Sequence, residues 1–334
     1  MLQNVTDKQI FKRIGGIMSW WSDKRVLVTG GSGFVGHAVL DVLKEKDCIA
    51  VRDPDSSFAD LTKEDQVDKV FKATRPDVVL HLAGRVGGIG VNKELPGEFF
   101  YQNIMMGTLM MEYARKYNVE KFVGVAAGCG YPKHLEVPFK ESDFWKDFPD
   151  ENSYGYSMAK KMLVIQSWAY REQYDFESSI VLPANLYGPH DNFHLENAHV
   201  VPALIRKFAE GKERGLDFVE VWGTGIASRE FLYVEDTARA IVDVAEHYRE
   251  SGPLNLGTGV GTTIKELAET ISELVGYEGE IRWDPYHPDG QPVRYYDMTE
   301  FKEALGYIPS TDLRTGLKKT IKWFYENQNN LAER

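Results

Sequence analysis

Cysteine is nearly missing from this chain: Cys48 and Cys129 are the only two in 334 residues. Two thiols cannot build the disulfide framework on which small secreted domains rely, and a reducing cytoplasm is the compartment expected. No apolar run approaches the roughly twenty residues that span a bilayer, and no secretory signal is recognisable, so no membrane association is expected. Basic charge is also scarce, with 39 Lys and Arg against 50 Asp and Glu and a net charge of −11. Without clustered cations, counterion release cannot drive nonspecific nucleic-acid binding, and an anionic ligand must find a local basic pocket. Repeats and low-complexity tracts are absent too. The histidines His190, His194 and His199 match no common zinc spacing and have no cysteine near them in sequence, so no metal is expected.

What is present is the composition of a large globular protein, 43% hydrophobic and 27% charged, able to bury a substantial core. Strand-like runs alternate with amphipathic helical stretches: Arg25–Thr29, then a helix over Gly33–Lys46, a strand at Ile49–Arg52, a helix over Thr62–Thr74 and a strand at Val78–Ala83. The alternation continues with a helix over Phe99–Tyr117, a strand at Phe122–Ala126, a helix bearing Tyr156 and Lys160, and a strand at Ser178–Pro183. Short right-handed crossovers then imply an α/β, Rossmann-type doubly wound parallel sheet. Beyond Pro183 the order becomes loop-rich around Tyr187–Ala198 and Pro285–Arg294, with helices at Val201–Glu210, Thr263–Val275 and Leu313–Asn327. Three regions are expected: an N-terminal extension over 1–23, a mainly cofactor-binding Rossmann domain over 24–185, and a smaller C-terminal α/β substrate lobe over 186–334 that crosses back to the Rossmann domain. Met105, Met106, Met110 and Met111 read as helix-packing material at a dimer interface.

Two motifs carry chemistry. Thr29-Gly30-Gly31-Ser32-Gly33-Phe34-Val35-Gly36 joins the first strand to the first helix, so Gly30, Gly33 and Gly36 allow a tight turn and close approach of a pyrophosphate to the helix N-terminus, with Phe34 and Val35 in the same turn. At the end of the second strand, Arg52 suits the 2′-phosphate of NADP(H). Asp53 would take the place of a ribose-binding acid if the strand register were off by one, and Asp60-Leu61 is placed to meet the adenine edge. The second motif is Tyr156-Ser157-Met158-Ala159-Lys160. Tyr and Lys four apart share one helix face, so the ammonium can lower the phenol's pKa and hold a nicotinamide ribose while the phenol trades a proton with a substrate oxygen.

The chain carries further motifs: Val86-Gly87-Gly88-Ile89-Gly90-Val91-Asn92, Cys129-Gly130-Tyr131-Pro132, the run Pro183–His194, and Val221-Trp222-Gly223-Thr224-Gly225 through Arg229-Glu230-Phe231-Leu232. On these, the chain from about Lys24 onward resembles the GDP-L-fucose synthase family of extended short-chain dehydrogenases/reductases. The resemblance implies NADPH-dependent epimerisation of a GDP-4-keto-6-deoxy-hexose at carbons 3 and 5, followed by reduction at carbon 4; a homodimer is expected besides. It further implies Tyr156 as proton donor, Lys160 as its electrostatic partner in both chemistry and cofactor binding, and Cys129 and His199 as the base and acid of epimerisation. That division suits the groups, because a ketone acidifies both neighbouring C–H bonds, a thiolate can remove a proton and an imidazole can return one. For the GDP moiety the resemblance points to Lys207 and Arg229, with Trp222, Val200 and Leu204 as an apolar wall and Asn185 nearby.

One position departs. Where the family carries the Ser or Thr that hydrogen-bonds the substrate oxygen, this chain has Ala127 followed by Gly128, and neither side chain can donate. A minor change puts Arg85 where a Lys is common. A related nucleotide-sugar reductase or epimerase acting on another sugar, for example a heptose, or without net redox, therefore remains open. A third reading, a catalytically silent NADP-binding protein, is opposed by the presence of Tyr156, Lys160, Cys129 and His199 together.

Overall fold

The computed structural model describes residues 19–195, 198–286 and 291–331. Of the extension expected over residues 1–23, the part up to Met18 lies outside the described residues. The remainder of that segment is built into the fold. Trp20–Asp23 forms a 3-10 turn whose Trp21 is fully buried and donates its indole N–H to Glu246 at 2.7 Å. A buried indole needs such a partner, and the acidic side chain supplies it.

Arg25–Thr29 (β1) is an aliphatic, β-branched run buried along nearly its whole length, as a strand covered on both faces requires. The glycine turn leads into Phe34–Lys44 (α1), and then come Ala50–Arg52 (β2), Glu64–Thr74 (α2) and Val78–His81 (β3). Ile89–Glu94 (α3), Pro96–Lys116 (α4), Lys121–Val125 (β4), Tyr154–Tyr174 (α5) and Ser178–Pro183 (β5) complete the first half. The second half contains Asn185–Tyr187 (β6), Val200–Glu213 (α6), Phe218–Trp222 (β7), Ser228–Tyr233 (β8), Val234–His247 (α7) and Pro253–Leu256 (β9). It ends with Gly261–Thr263 (β10), Ile264–Val275 (α8), Glu280–Asp284 (β11), Val293–Arg294 (β12), Thr299–Leu305 (α9) and Leu313–Leu331 (α10).

The main sheet is parallel throughout, in the order β2-β1-β3-β4-β5-β9. Its winding direction reverses between β1 and β3, which opens a crevice at the carboxyl ends of those strands, the place where such sheets receive ligands. Strand β9 lies beside β5 in the main sheet, and with helices α7 and α9 it buries Leu254, Ile241 and Phe301 in the main core. A second core joins α6, α8 and α10 through Ile205, Phe208, Leu267, Ile271 and Leu317. Beside it, β8 pairs antiparallel with β10 and parallel with β6 and β12, while β7 pairs with β11.

Two expectations change. The segments read as loop-rich take in the last residue of β6 and the whole of β12, strands whose two or three residues are too short to show a period of two and which form only because β8 lies alongside. Met110 and Met111, expected at an interface between copies, are wholly buried in the core of their own chain.

Candidate active site

The glycine turn is shaped by close backbone approach. Gly30 has φ +74°, and a Cβ there would lie 2.9 Å from the Ala83 nitrogen, so a side chain would be both strained and blocked. A Cβ at Gly36 would lie 2.0 Å from the Gly30 carbonyl oxygen, which locks the first turn of α1 onto the end of β1. Gly33 caps α1 without any side-chain hydrogen bond, so the amides of Phe34, Val35 and Gly36 face outward as donors at a helix N-terminus. This bare cradle fits a pyrophosphate. Arg52 ends β2 with its side chain exposed and its guanidinium donating to the Val51 carbonyl at 3.0 Å. Asp53 is the residue that faces the turn, its Cβ 2.6 Å from where a Cβ of Gly31 would stand. Asp60 accepts from the amide and hydroxyl of Thr62, which holds its carboxyl below the usual range, and Leu61 packs partly buried against the main core.

Tyr156 and Lys160 lie one turn apart on the same face of α5, at the carboxyl end of β4. Lys160 is buried, donates to the Val125 carbonyl at 3.1 Å, and is pulled down to about 8 by that burial. Burial pushes the Tyr156 phenol up, and its ring meets Phe99 edge-on at 6.4 Å. The fully buried His81, bonded to the Thr29 hydroxyl at 2.7 Å, is driven down to about 3 by desolvation and then by the Lys160 charge, so it stays neutral beside the lysine. Asn103 carries no motif that singles it out in the sequence. Its amide donates to the Phe99 and Arg85 carbonyls and its oxygen accepts from the Arg85 amide, which fixes the chain around Gly84, itself against the Lys160 ammonium.

Cys129 lies in the 3-10 turn Gly128–Gly130 that comes after β4, partly exposed to the cleft. Its surroundings are crowded, so desolvation pushes the thiol up, opposed by a hydrogen bond from Ser157 and by the charges of Arg294 and Lys160. Cys129, Tyr156 and Lys160 thus form one electrostatic cluster.

The other expected residues come from the smaller lobe. His199 precedes α6 as an exposed residue, yet is walled closely enough that desolvation lowers its pKa. Val200 opens α6 half-buried, whereas Leu204 is 3% exposed and belongs to the lobe's own core, beneath any surface wall. Lys207 donates to the Glu220 carbonyl at 3.0 Å and lies 5.4 Å from the Trp222 ring centre, while Trp222 itself is 60% exposed. That pairing forms a flat, positively edged platform suited to a base or phosphate. Arg229 on β8 donates to the Gln291 and Ser228 carbonyls, and Asn185 on β6 donates to the Glu230 carbonyl at 2.9 Å, which ties the lobe strands to the end of β5. Two further residues that no sequence motif marks, Arg294 and Tyr296, adjoin Gly128. No spacing rule connects a turn after β4 with a segment after β12.

Residues 26–257 match the model of the NAD dependent epimerase/dehydratase family. GDP-L-fucose synthase 1 of Arabidopsis thaliana is 37% identical over 316 residues, covering 94% of this chain and 98% of its own length. The GDP-L-fucose synthase of Escherichia coli K12 is 36% identical over 317 residues, covering 92% and 98% respectively. Among solved structures, a GDP-L-fucose synthetase from Naegleria fowleri bound to NADP is similar with a TM-score of 0.85 at 27% identity, covering 94% of this chain and 97% of that one. Matches of this extent take in both the Rossmann sheet and the smaller lobe, and the chain belongs to the GDP-L-fucose synthase family of NAD dependent epimerases/dehydratases.

Proposed function

We propose that the protein is an NADP(H)-dependent enzyme that epimerises a GDP-4-keto-6-deoxy-hexose at carbons 3 and 5 and reduces it at carbon 4. The observation that carries this reading is the cluster of Cys129, Tyr156 and Lys160 beside the glycine turn. The amides of Phe34–Gly36 would hold the pyrophosphate, Arg52 the 2′-phosphate and Lys160 the nicotinamide ribose. Bound there, NADPH supplies the hydride for carbon 4. Tyr156, kept protonated by its burial, donates to the carbon-4 oxygen, and the Lys160 ammonium stabilises the phenolate left behind. Cys129 removes a proton next to the ketone, and His199 delivers one from the lobe side. Trp222, Lys207 and Arg229 would receive the GDP, Val200 flanking them and Leu204 supporting α6 from within, with Asn185 at the seam.

The direct test is to supply GDP-4-keto-6-deoxy-mannose with NADPH and identify the product. Consumption of one NADPH per sugar with inverted carbons 3 and 5 supports the reading. Cofactor binding without turnover of this sugar, but with turnover of a GDP-heptose ketone, favours the second reading that Ala127 keeps open.

Cofactor choice has its own expected result. Arg52→Ala should lower the NADPH/NADH ratio of kcat/KM by roughly tenfold or more, the loss of one charge-assisted phosphate contact. An unchanged ratio assigns the choice to Asp53 or Asp60 instead. Among the described residues no helix is long and apolar enough to cross a membrane. Exposed Phe100, Tyr101, Ile165 and Trp168 on the packed pair α4 and α5 support a homodimer through that face, and a cytoplasmic location fits the two unpaired thiols.

A further inference from the structure

A hydroxyl from a distant segment adjoins the turn that lacks one. A Cβ placed on Gly128 would lie 1.9 Å from the Tyr296 hydroxyl oxygen, 2.8 Å from an Arg294 guanidinium nitrogen and 3.2 Å from the Pro183 carbonyl oxygen. The phenol oxygen therefore fills the volume in which a serine at 128 would begin. Gly128 stands between Ala127 and Cys129, both partly exposed to the cleft, and Tyr296 acts electrostatically on the same thiol as Tyr156 does. We propose that Tyr296 is the second hydrogen-bond donor to the carbon-4 oxygen, its hydroxyl taking the role of the side-chain hydroxyl that Ala127 and Gly128 lack. This rests on the reading that the site reduces a carbon-4 ketone.

Three observations support the assignment. The hydroxyl is available, because its bond to the Pro183 carbonyl is 3.3 Å long, at the far end of the useful range, and costs little to exchange. It is a good donor, because Arg294 donates to the phenol oxygen and polarises the O–H, while burial pushes the phenol up to about 12 and keeps it protonated at neutral pH. It is also held in place. The Tyr296 amide donates to the buried Glu230 carboxylate at 2.8 Å, and that carboxylate in turn accepts from the amides of Thr258 and Gly259. Tyr131 packs against the Tyr296 ring at 5.6 Å, and Phe139 meets Tyr296 across a backbone bridge. Such support is what a donor aimed at developing charge needs. Tyr296 gives up no proton in the reaction; Tyr156 delivers it.

Gly128 leaves the room that the Tyr296 phenol occupies, and the replacement of one hydroxyl by the other is testable. Tyr296→Phe should lower kcat for reduction by roughly ten- to a hundredfold and slow solvent deuterium entry at carbons 3 and 5 as well, since both steps need a polarised ketone. KM for the sugar and NADPH affinity should stay within about twofold. Tyr296→Leu should lose activity likewise, Gly128→Ser alone should lose it by collision with the phenol, and Ala127→Ser combined with Tyr296→Phe should recover at least about tenfold over Tyr296→Phe. Tyr296→Phe with kcat within about twofold of wild type overturns the proposal. So does a fall in kcat accompanied by equal loss of cofactor binding and of Tm, which would make Tyr296 a packing residue. Tyr156→Phe is the control for the underlying reading. If it stays active, Tyr156 is not the proton donor and the underlying reading of the site fails, whereas an inactive Tyr156→Phe beside a fully active Tyr296→Phe removes only the second donor.

Discussion

Tyr156→Phe is expected to lower kcat for carbon-4 reduction by roughly a thousandfold while NADPH affinity stays near wild type. The substitution removes one oxygen and keeps the ring that packs on Phe99, so the helix and the Lys160 contacts should persist. What is lost is the group proposed to protonate the ketone oxygen as it becomes an alkoxide. Burial raises the pKa of this phenol, which favours holding the proton until charge develops on the substrate; the buried Lys160 then stabilises the phenolate. Stopped-flow measurement of NADPH oxidation under single-turnover conditions would isolate the step. A rate within about tenfold of wild type would mean that a water or another side chain delivers the proton.

Cys129→Ala is expected to separate the two halves of the reaction. In heavy water the wild-type enzyme should place deuterium at carbons 3 and 5, and the variant should slow that exchange by about a hundredfold or more. Reduction should continue, now yielding a sugar with unchanged configuration beside the ketone. The position of Cys129 explains the size of the effect: the thiol stands in the turn after β4, within the field of Lys160 and Arg294, and no other thiol lies near, Cys48 being at the far end of α1. Desolvation holds the Cys129 thiol above its ordinary range, so the thiolate fraction, and with it the exchange rate, should climb as pH rises through neutrality. Mass spectrometry of product formed in heavy water decides the matter. Undiminished exchange at both carbons in Cys129→Ala would give the base to another group, and an absence of exchange in the wild type would leave a plain ketoreductase.

Much of this protein is written locally. The strands Arg25–Thr29 and Ser178–Pro183 appear where their aliphatic runs place them, and α1 begins after Gly33, where the tight glycine turn ends and helically spaced apolar residues start. Tyr156 and Lys160 share a face because four residues make about one helical turn. These features depend on neighbours within a few positions, so a linear reading reaches them. Tertiary structure decided the rest. β6 and β12 are strands only through β8, and Trp21 joins the main core with its N–H accepted by Glu246, far away in the sequence. Met110 and Met111 face inward because α4 packs against its own sheet, a choice the composition of the helix leaves open. The candidate site divides along the same line. The absence of a hydroxyl at Ala127 and Gly128 is visible in the sequence, but its replacement is not, because the Tyr296 phenol reaches Gly128 through the pairing of β12 with β8 and the grip of Glu230, contacts between distant segments that leave no periodic trace in the chain.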